Sequence, residues 1–135
     1  MKVYLAGPID SCTAEQTHDW RTKAKILLDN HECLDPTRRN ANGALEGLDN
    51  KNEIIERIIN PDLMDIKNCD AVIANCWKPS HGTSMEIYAA WSMNKRVCVI
   101  VPEWRGPSYW LVAHADLIAW SLDEACGWVK GGCRV

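Results

Sequence analysis

The sequence lacks the features by which a cofactor or metal site is most easily found. It has no phenylalanine, although it contains seven tryptophans and three tyrosines. Its seven cysteines include no Cys-x-x-Cys pair and no Cys–His cluster with zinc-finger spacing, the spacings that indicate structural zinc. It also contains neither a Gly-x-x-x-x-Gly-Lys-Ser/Thr loop nor a Gly-x-Gly-x-x-Gly turn, two motifs that bind nucleotide phosphates. We therefore expect neither a metal ion nor a bound cofactor.

Clustered positive charge and long apolar runs are also scarce. The formal net charge is -3 and no segment is strongly basic, which argues against binding of a nucleic-acid polymer. No apolar run reaches the roughly 20 residues of a membrane span, and the amino terminus opens directly into a strand-like run, so we expect no targeting segment. An odd number of cysteines in such a chain indicates free thiols in a reducing compartment. We therefore expect a cytoplasmic protein. The length of 135 residues predicts a single domain.

Strand-like and helix-like segments alternate along the chain. We predict strands at residues 2–6, 31–36, 70–75, 96–101 and 117–120, and helices at 13–30, 53–59, 83–93 and 121–129. The runs at 70–75 and 96–101 are apolar without alternation, which is typical of strands buried on both faces. This order of elements predicts an α/β fold with a parallel sheet.

Two segments interrupt this regular pattern. Residues 37–51 are polar and carry Arg38 and Arg39, and we expect a long loop there, of the kind that is usually functional or mobile. Asn60-Pro61 follows a helix-like run. Because Asn favours the N-cap and Pro the first helical position, we expect a new helix to start at this pair.

Ligands of parallel α/β proteins bind at the carboxyl ends of the strands, which directs attention to residues 7–10, 76–86 and 102–109. The clearest feature there is the run from Lys78 to Glu86, in which a Gly-Thr-Ser turn leads into a helix. Free backbone N–H groups at such a turn can bind an anion. We expect Glu86 in the first helical turn, where it is a candidate catalytic carboxylate. A plain electrostatic role toward the helix dipole is the alternative.

Three further side chains are candidates for the same site. Tyr4, in the first strand, can place its hydroxyl near the strand ends, and a core aromatic is the alternative. Asp62 lies at the expected helix start, where a capping or dipole role is the alternative. His81 is a candidate substrate contact, and otherwise a loop side chain.

Six short blocks occur along the chain in a specific order and spacing. They are V-Y-L-A-G-P-I at 3–9, N-P-D-L at 60–63, D-A-V-I-A at 70–74, P-S-H-G-T-S-M-E at 79–86, N-K-R-V at 94–97 and S-L-D-E-A at 121–125. In these blocks, which extend over nearly the whole chain, the sequence resembles the nucleoside 2-deoxyribosyltransferase family and the related 2'-deoxynucleoside 5'-phosphate N-hydrolases.

The resemblance implies a fold, an assembly and a set of roles. The implied fold is a doubly wound, flavodoxin- or Rossmann-like sheet of five parallel strands with helices on both faces. By matching position, Glu86 is the nucleophile, Tyr4 the hydroxyl that holds and activates it, and Asp62 the acid that protonates the leaving base. The implied assembly is a homodimer or higher homo-oligomer with shared active sites. The implied substrate contacts are Gly7, Pro8, Ile9, Ser80, His81, Gly82 and Thr83, with Ser108 or Tyr109 reaching into a neighbouring site.

Ser80 bears on the choice of substrate within this resemblance. It stands six residues before Glu86, where the transferases that act on free nucleosides tend to carry Asp. The nucleotide hydrolases carry Ser there, and it contacts the 5'-phosphate. They also use a Ser and an Arg in the loop after the first strand, where this chain has Pro8 and Asp10, and a carboxylate repels a phosphate. The candidates for a compensating cation are Arg38, Arg39, Lys78 and Arg105.

These residues fit cleavage or transfer of the N-glycosidic bond of a nucleoside or its 5'-monophosphate, through a glycosyl-enzyme ester on Glu86. The alternative is a non-catalytic module of the same fold that senses a nucleotide. The joint presence of Glu86, Tyr4 and Asp62 favours the enzyme. A flavodoxin-like electron carrier fits poorly, because no Ser/Thr-rich phosphate loop follows the first strand.

Overall fold

Five parallel strands form one sheet in a computed structural model that describes residues 1–134. The strands are β1 (Lys2–Ala6), β2 (Glu32–Leu34), β3 (Ala71–Asn75), β4 (Arg96–Ile100) and β5 (Leu117–Ala119), and their order in the sheet is β2-β1-β3-β4-β5. The chain builds outward from β1 in one direction and from β3 in the other, so the strand order reverses between these two neighbours. Sheets of this kind bind ligands in the crevice at that switch point. The predicted parallel sheet and its five-stranded, doubly wound form are confirmed.

Helices follow the strands, and several begin at the polar cap that the sequence predicts. The helical elements are α1 (Ala14–Leu27), a 3-10 segment (Pro36–Gly43), α2 (Lys51–Ile54), a π-helical turn (Ile55–Ile59), α3 (Asn60–Asn68), α4 (His81–Ser92), α5 (Tyr109–Ala113) and α6 (Leu122–Lys130). Thr13 and Gln16 form the expected capping box of α1. Ser121 caps α6 by accepting a hydrogen bond from an α6 backbone N–H.

Two apolar cores cover the two faces of the sheet. On one face, α1 and α6 pack against side chains of β1, β3 and β4, with Leu28 and Val129 fully buried. On the other face, α3 and α4 supply Ile66 and Ile87. Tyr4 of β1 belongs to this second core. A strand side chain on this face is therefore brought directly beneath α4.

The helix before β3 does not restart at Asn60, as the Asn-Pro pair predicted. Ile59 and Asn60 have right-handed helical backbone, so helical structure runs on from α2 through the π-helical turn into α3. The N–H of Asn60 bonds to the carbonyl of Ile55, five residues back. This wider turn gives room to Pro61, which lacks an N–H and whose ring crowds the preceding turn of a regular α-helix.

Capping also moves two other boundaries. The prediction that α4 starts at Thr83 was wrong by two residues, because Ser80 accepts the Thr83 N–H and α4 begins at His81. Glu86 therefore lies in the second helical turn, not the first. Ser108 caps the short helix α5 in the same way, and α5 was absent from the predicted elements. The predicted loop after β2 opens with the 3-10 segment, which Asp35 caps.

Within residues 1–134, no helix combines the length and apolarity that crossing a membrane requires. No group of three or more His, Cys, Asp or Glu side chains in the same residues is arranged to hold a metal ion. All seven cysteines are free thiols, and five of them are buried.

Candidate active site

Tyr4 and Glu86 meet at the switch point of the sheet. Tyr4 lies on β1 and is fully buried, and its hydroxyl donates a hydrogen bond to Oε2 of Glu86 on α4. Burial, followed by the charges of Glu86 and Asp62, raises the pKa of Tyr4 far above its ordinary value. The phenol therefore stays protonated and acts as the donor. The structure brings together two of the three predicted catalytic side chains through this contact.

The position and surroundings of Glu86 argue against a role that is limited to stabilising the helix dipole. Because α4 carries no acidic residue in its first turn, Glu86 lies outside the region where a helix dipole acts most strongly. Burial raises the pKa of Glu86 to about 7, and the charge of Asp62 adds to this rise. The hydrogen bond from Tyr4, and the charges of Arg21 and Arg39, lower the pKa. A carboxyl group with such a shift is a functional candidate.

Asp62 faces the same crevice from α3. Its carboxylate accepts a hydrogen bond from Nη2 of Arg39, an ion pair in which both side chains are partly buried. Burial raises the pKa of Asp62, and the hydrogen bond and charge of Arg39 oppose this rise without cancelling it. The charge of Asp62 reaches both Glu86 and Tyr4. The three predicted catalytic residues therefore form one electrostatically coupled group.

The loop after β1 borders this group of residues and is held in place by a hydrogen bond from α1. Gly7 and Pro8 are buried, whereas Ile9 is 43 % exposed. The guanidinium of Arg21, a fully buried residue of α1, donates to the Gly7 carbonyl at 3.1 Å. A Cβ atom at Gly7 would lie 2.7 Å from the ring of Trp20, closer than two carbon atoms pack. The position therefore requires glycine.

Among the predicted substrate contacts at the start of α4, some hydrogen-bonding groups already have partners within the protein and others are free. The Oγ atom of Ser80 accepts from the N–H of Thr83 at 3.3 Å and from its hydroxyl at 2.9 Å. Both lone pairs of Ser80 are thus engaged, and its own O–H is free to donate. Thr83 is buried and has no donor left for a ligand. His81 and Gly82 are exposed at the first turn, where backbone N–H groups lack helical partners.

Ser108 and Tyr109 lie on a different wall. A cleft of about 530 Å³ opens between α4 and the connection from β4 to α5, and both Ser80 and Ser108 line it. None of the three catalytic candidates lines this cleft. Tyr109 is 93 % exposed and does not line this cleft. The structure of one chain thus joins Ser80 to Ser108 but leaves Tyr109 apart.

The cations considered for a phosphate are engaged within the chain. Lys78 Nζ donates to a backbone carbonyl of the loop after β1 at 3.1 Å. Arg105 donates to a carbonyl of the loop after β3 at 2.6 Å. Arg38 and Arg39 pair with carboxylates of α3.

The sequence interpretation missed Arg21 and Asp35, two buried residues that support the backbone around these candidates. Arg21 also donates to the carbonyls of Leu5 and Thr17, at 3.3 and 2.6 Å, and lies 3.7 Å from Asp35. A signal for Arg21 existed, since it follows Thr17 by four residues and precedes Ala24 by three, on the buried face of α1. An Arg on such a face must find acceptors inside the protein.

Comparisons with known proteins identify the family and the fold. The sequence model of the nucleoside 2-deoxyribosyltransferase family matches residues 3–125. Among solved structures, a 2-deoxyribosyltransferase from Bacillus psychrosaccharolyticus has a TM-score of 0.79 at 18 % identity, with 100 % of this chain and 97 % of that chain covered. A conserved protein from Enterococcus faecalis V583 has a TM-score of 0.73 at 13 % identity, with 97 % and 98 % covered.

A CMP N-glycosidase from Clostridium botulinum is also similar, with a TM-score of 0.61 at 19 % identity and with 98 % of this chain and 99 % of that chain covered. A comparison with curated protein sequences finds no match. At these identities the solved structures establish the fold, whereas the match over residues 3–125 establishes the family. The chain belongs to the nucleoside 2-deoxyribosyltransferase family.

Proposed function

We propose that this protein cleaves or transfers the N-glycosidic bond of a nucleoside or its 5'-monophosphate, with Glu86 as the attacking carboxylate. The observation that carries the proposal is the hydrogen bond from the buried Tyr4 hydroxyl to Glu86, beside Asp62, at the switch point of the sheet. A 2-deoxyribosyltransferase and a CMP N-glycosidase share the fold, which supports this class of reaction.

The reaction balances with the side chains at this site. The carboxylate of Glu86 attacks C1', the C1'–N bond breaks, and its electron pair leaves with the base. Asp62 donates a proton to that base. Water or a second base then attacks C1' of the ester and gives its proton to Asp62, and the Glu86 carboxylate is released. Tyr4 steadies the charged oxygen of Glu86 before attack and after release.

One proton shared by Glu86 and Asp62 is sufficient for the first step. Burial raises the pKa of both carboxyl groups above their ordinary values, and the charge of Asp62 adds to the rise for Glu86. Carboxyl groups that interact in this way titrate as a pair. The reactive form carries the proton on Asp62, next to the departing base, and the charge on Glu86, next to C1'.

Incubation with a panel of nucleosides and 5'-monophosphates, with and without a free acceptor base, tests the proposed function. Chromatography should show a released base, or a new nucleoside when an acceptor is present. Glu86→Gln serves as the inactive control. Binding of a nucleotide without base release by the wild-type protein would identify a sensing module and overturn the proposal.

We expect a 5'-monophosphate to be preferred over the matched nucleoside. The free O–H of Ser80 and the first-turn N–H groups of α4 can donate to a phosphate, whereas Asp10 opposes it. One hydrogen bond to a charged group contributes about 1.5–3 kcal/mol, which corresponds to roughly tenfold or more in kcat/KM. Ser80→Ala should remove most of this preference. A preference for the free nucleoside that Ser80→Ala leaves unchanged would contradict the phosphate assignment.

The pH dependence of the rate should report Glu86. Because burial raises the pKa of Glu86 to about 7, kcat/KM should fall about tenfold per pH unit below that value, as the nucleophile becomes protonated. Tyr4→Phe removes a hydrogen bond that lowers this pKa, so it should move the acid limb to higher pH. The measurement is kcat/KM from about pH 5 to pH 9, which reports the free enzyme. A limb that moves to lower pH in Tyr4→Phe contradicts the assignment.

We also propose that the protein is a dimer or a multiple of dimers with shared sites. Tyr88 and Trp91 of α4 lie in contact with His114, on which Trp110 of α5 stacks. Although they form a cluster, Tyr88 is 54 % exposed, Trp91 47 % and Trp110 74 %. An exposed aromatic patch is typical of an interface core. A second copy seated there would bring Tyr109 toward the neighbouring site.

Sedimentation of the wild-type protein should show a dimer or larger species. Trp110→Glu should shift it to the monomer and lower activity, because a buried charge opposes association. Trp120→Glu is the matched control, since Trp120 is also exposed but lies after β5, outside the cluster. A wild-type monomer with full activity would refute the shared site.

A further inference from the structure

Two arginines and two aspartates form a cluster between the 3-10 segment and α3. Arg39 donates from Nη2 to Asp62 and from Nη1 to Asp65, the latter at 2.6 Å. Arg38 donates to Asp65 at 2.9 Å and to the carbonyl of Asp35 at 2.7 Å. The cluster joins a catalytic candidate, Asp62, to a segment that no predicted catalytic residue comes from.

The backbone that carries this cluster is fixed at its root. The carboxylate of Asp35 accepts from Lys25 Nζ at 2.6 Å, and from the N–H and hydroxyl of Thr37 at 2.9 and 2.6 Å. Burial leaves only 7 % of the Asp35 side chain exposed. The 3-10 segment therefore begins from a rigid point, and the place of the Arg39 backbone does not depend on Arg39 itself.

Arg38 and Arg39 have different surroundings, although they are adjacent. The Arg38 side chain is 46 % exposed and contacts Asp65 but not Asp62. The Arg39 side chain is 20 % exposed, and of the two it is the one bonded to Asp62. The Nε atom of Arg39 is buried and has no hydrogen-bond partner among residues 1–134. Its guanidinium is thus committed to the site at the cost of one unpaired donor.

Arg39 provides positive charge next to two carboxyl groups of the site, those of Asp62 and Glu86. Asp62 is faced by Arg39, Arg38 and Asp65. Glu86 is faced by Tyr4, Asp62, Arg21 and Arg39. Without Arg39, the carboxylate of Asp62 would be left partly buried and without a hydrogen-bond partner from the described chain. It would then turn toward solvent or take up a proton.

We infer that Arg39 is the positioning residue for Asp62, and that Asp65 anchors Arg39. The inference rests on the proposed function, in which Asp62 must face the departing base. Because Nη1 of Arg39 is held by Asp65, the guanidinium keeps its place when Asp62 gives up or takes back a proton. Arg39 thereby fixes the direction of the Asp62 carboxyl and limits its proton affinity throughout the cycle.

Three substitutions test this inference. Arg39→Met keeps the length of the side chain and removes the charge and the fork, Arg39→Lys restores the charge alone, and Arg38→Met is the matched control beside it. The first readout is a carbon-13 NMR titration of the Asp62 carboxyl in the protein without substrate. An opposite charge in contact lowers a carboxyl pKa by about 1–3 units, so Arg39→Met should raise the pKa of Asp62 by about one unit or more.

Arg39→Lys should give a smaller rise in that pKa, and so should Arg38→Met, because Arg38 lowers the pKa of Asp62 by its charge without contacting it. The second readout is kcat for base release. Arg39→Met should lower it about 10- to 100-fold for substrates whose base leaves poorly, with less effect on activated leaving groups. An unchanged pKa of Asp62 in Arg39→Met, or equal effects of Arg38→Met and Arg39→Met, would overturn the inference. If Arg39→Met does not fold, Arg39→Lys decides by the same titration.

The two readouts keep the inference apart from the proposed function. The titration needs no substrate and is unaffected if the protein releases no base. A wild-type protein without turnover, together with the expected pKa shifts, would support the Arg39–Asp62 coupling and refute the proposed function. Turnover together with an unmoved Asp62 titration would refute the positioning role and leave the proposed function standing.

Discussion

Glu86→Gln should lower the rate of base release by at least about 1,000-fold, because losing a covalent nucleophile removes the first chemical step itself. The amide keeps the size of the side chain and can still accept the Tyr4 hydrogen bond. The measurement is single-turnover release of the base, followed by chromatography. If the variant kept more than about a tenth of the wild-type rate, Glu86 would not be the nucleophile, because losing a nucleophile costs far more than tenfold.

The stability of the same variant provides the control for folding, and linkage to the pKa of Glu86 fixes the direction in which stability changes with pH. The pKa of Glu86 rises on folding from an ordinary value of 4.5 to about 7. Wild-type stability should therefore fall as pH rises through this window, whereas Glu86→Gln has no such loss. Between about pH 5 and pH 8 the wild-type protein should lose roughly 1–3 kcal/mol more of its unfolding free energy than the variant loses. Denaturant unfolding at the two pH values measures this difference. A variant that is much less stable than the wild-type protein at both pH values would attribute lost activity to a damaged fold.

Asp62→Asn should slow base release by about 10²–10⁴-fold for bases that leave poorly, because the asparagine amide supplies no acid to the departing nitrogen. Substrates with activated leaving groups need no proton and should retain most of their rate. The measurement compares kcat for the two substrate types in the wild-type and variant proteins. Asp123→Asn is the matched control, since Asp123 is an exposed aspartate of α6 that pairs with Lys23. Asp65→Asn should give a smaller loss of the same kind as Asp62→Asn, because Asp65 anchors Arg39.

Equal losses on both substrate types in Asp62→Asn would assign Asp62 a positioning role instead of acid catalysis. A large loss in Asp65→Asn that is confined to poor leaving bases would have a different meaning. It would show that the anchoring of Arg39 limits the reaction.

Much of the fold follows from local sequence because parallel α/β sheets have strong local signals. The apolar runs at 70–75 and 96–101 predict buried strands, and these become β3 and β4. Thr13 with Gln16 predicts the start of α1, where the capping box forms. The meeting of Tyr4 and Glu86 was expected from the family resemblance, which implies that the Tyr4 hydroxyl holds the Glu86 carboxylate.

The features that sequence missed depend on contacts between distant segments. Asn60-Pro61 is a good local start signal, but packing of α3 on the sheet and the π-helical turn carry the helix through it. Ser80 was considered only as a ligand contact, whereas it also caps α4 and so moves Glu86 into the second turn. The pairing of Arg39 with Asp62 joins residues 23 apart in the chain, and no local periodicity indicates it.

The proposal depends most on a covalent bond between C1' of the sugar and the Glu86 carboxylate. That bond can be sought by quenching a reaction with acid in the pre-steady state and measuring the mass of the proteolytic peptide that contains Glu86. Glu86→Gln, treated in the same way, is the control. We predict that the wild-type peptide gains the mass of the sugar or sugar phosphate, with fragmentation that places the gain on Glu86, and that the variant peptide gains nothing. Rapid base release without any adduct, or an adduct on another residue, would contradict the account.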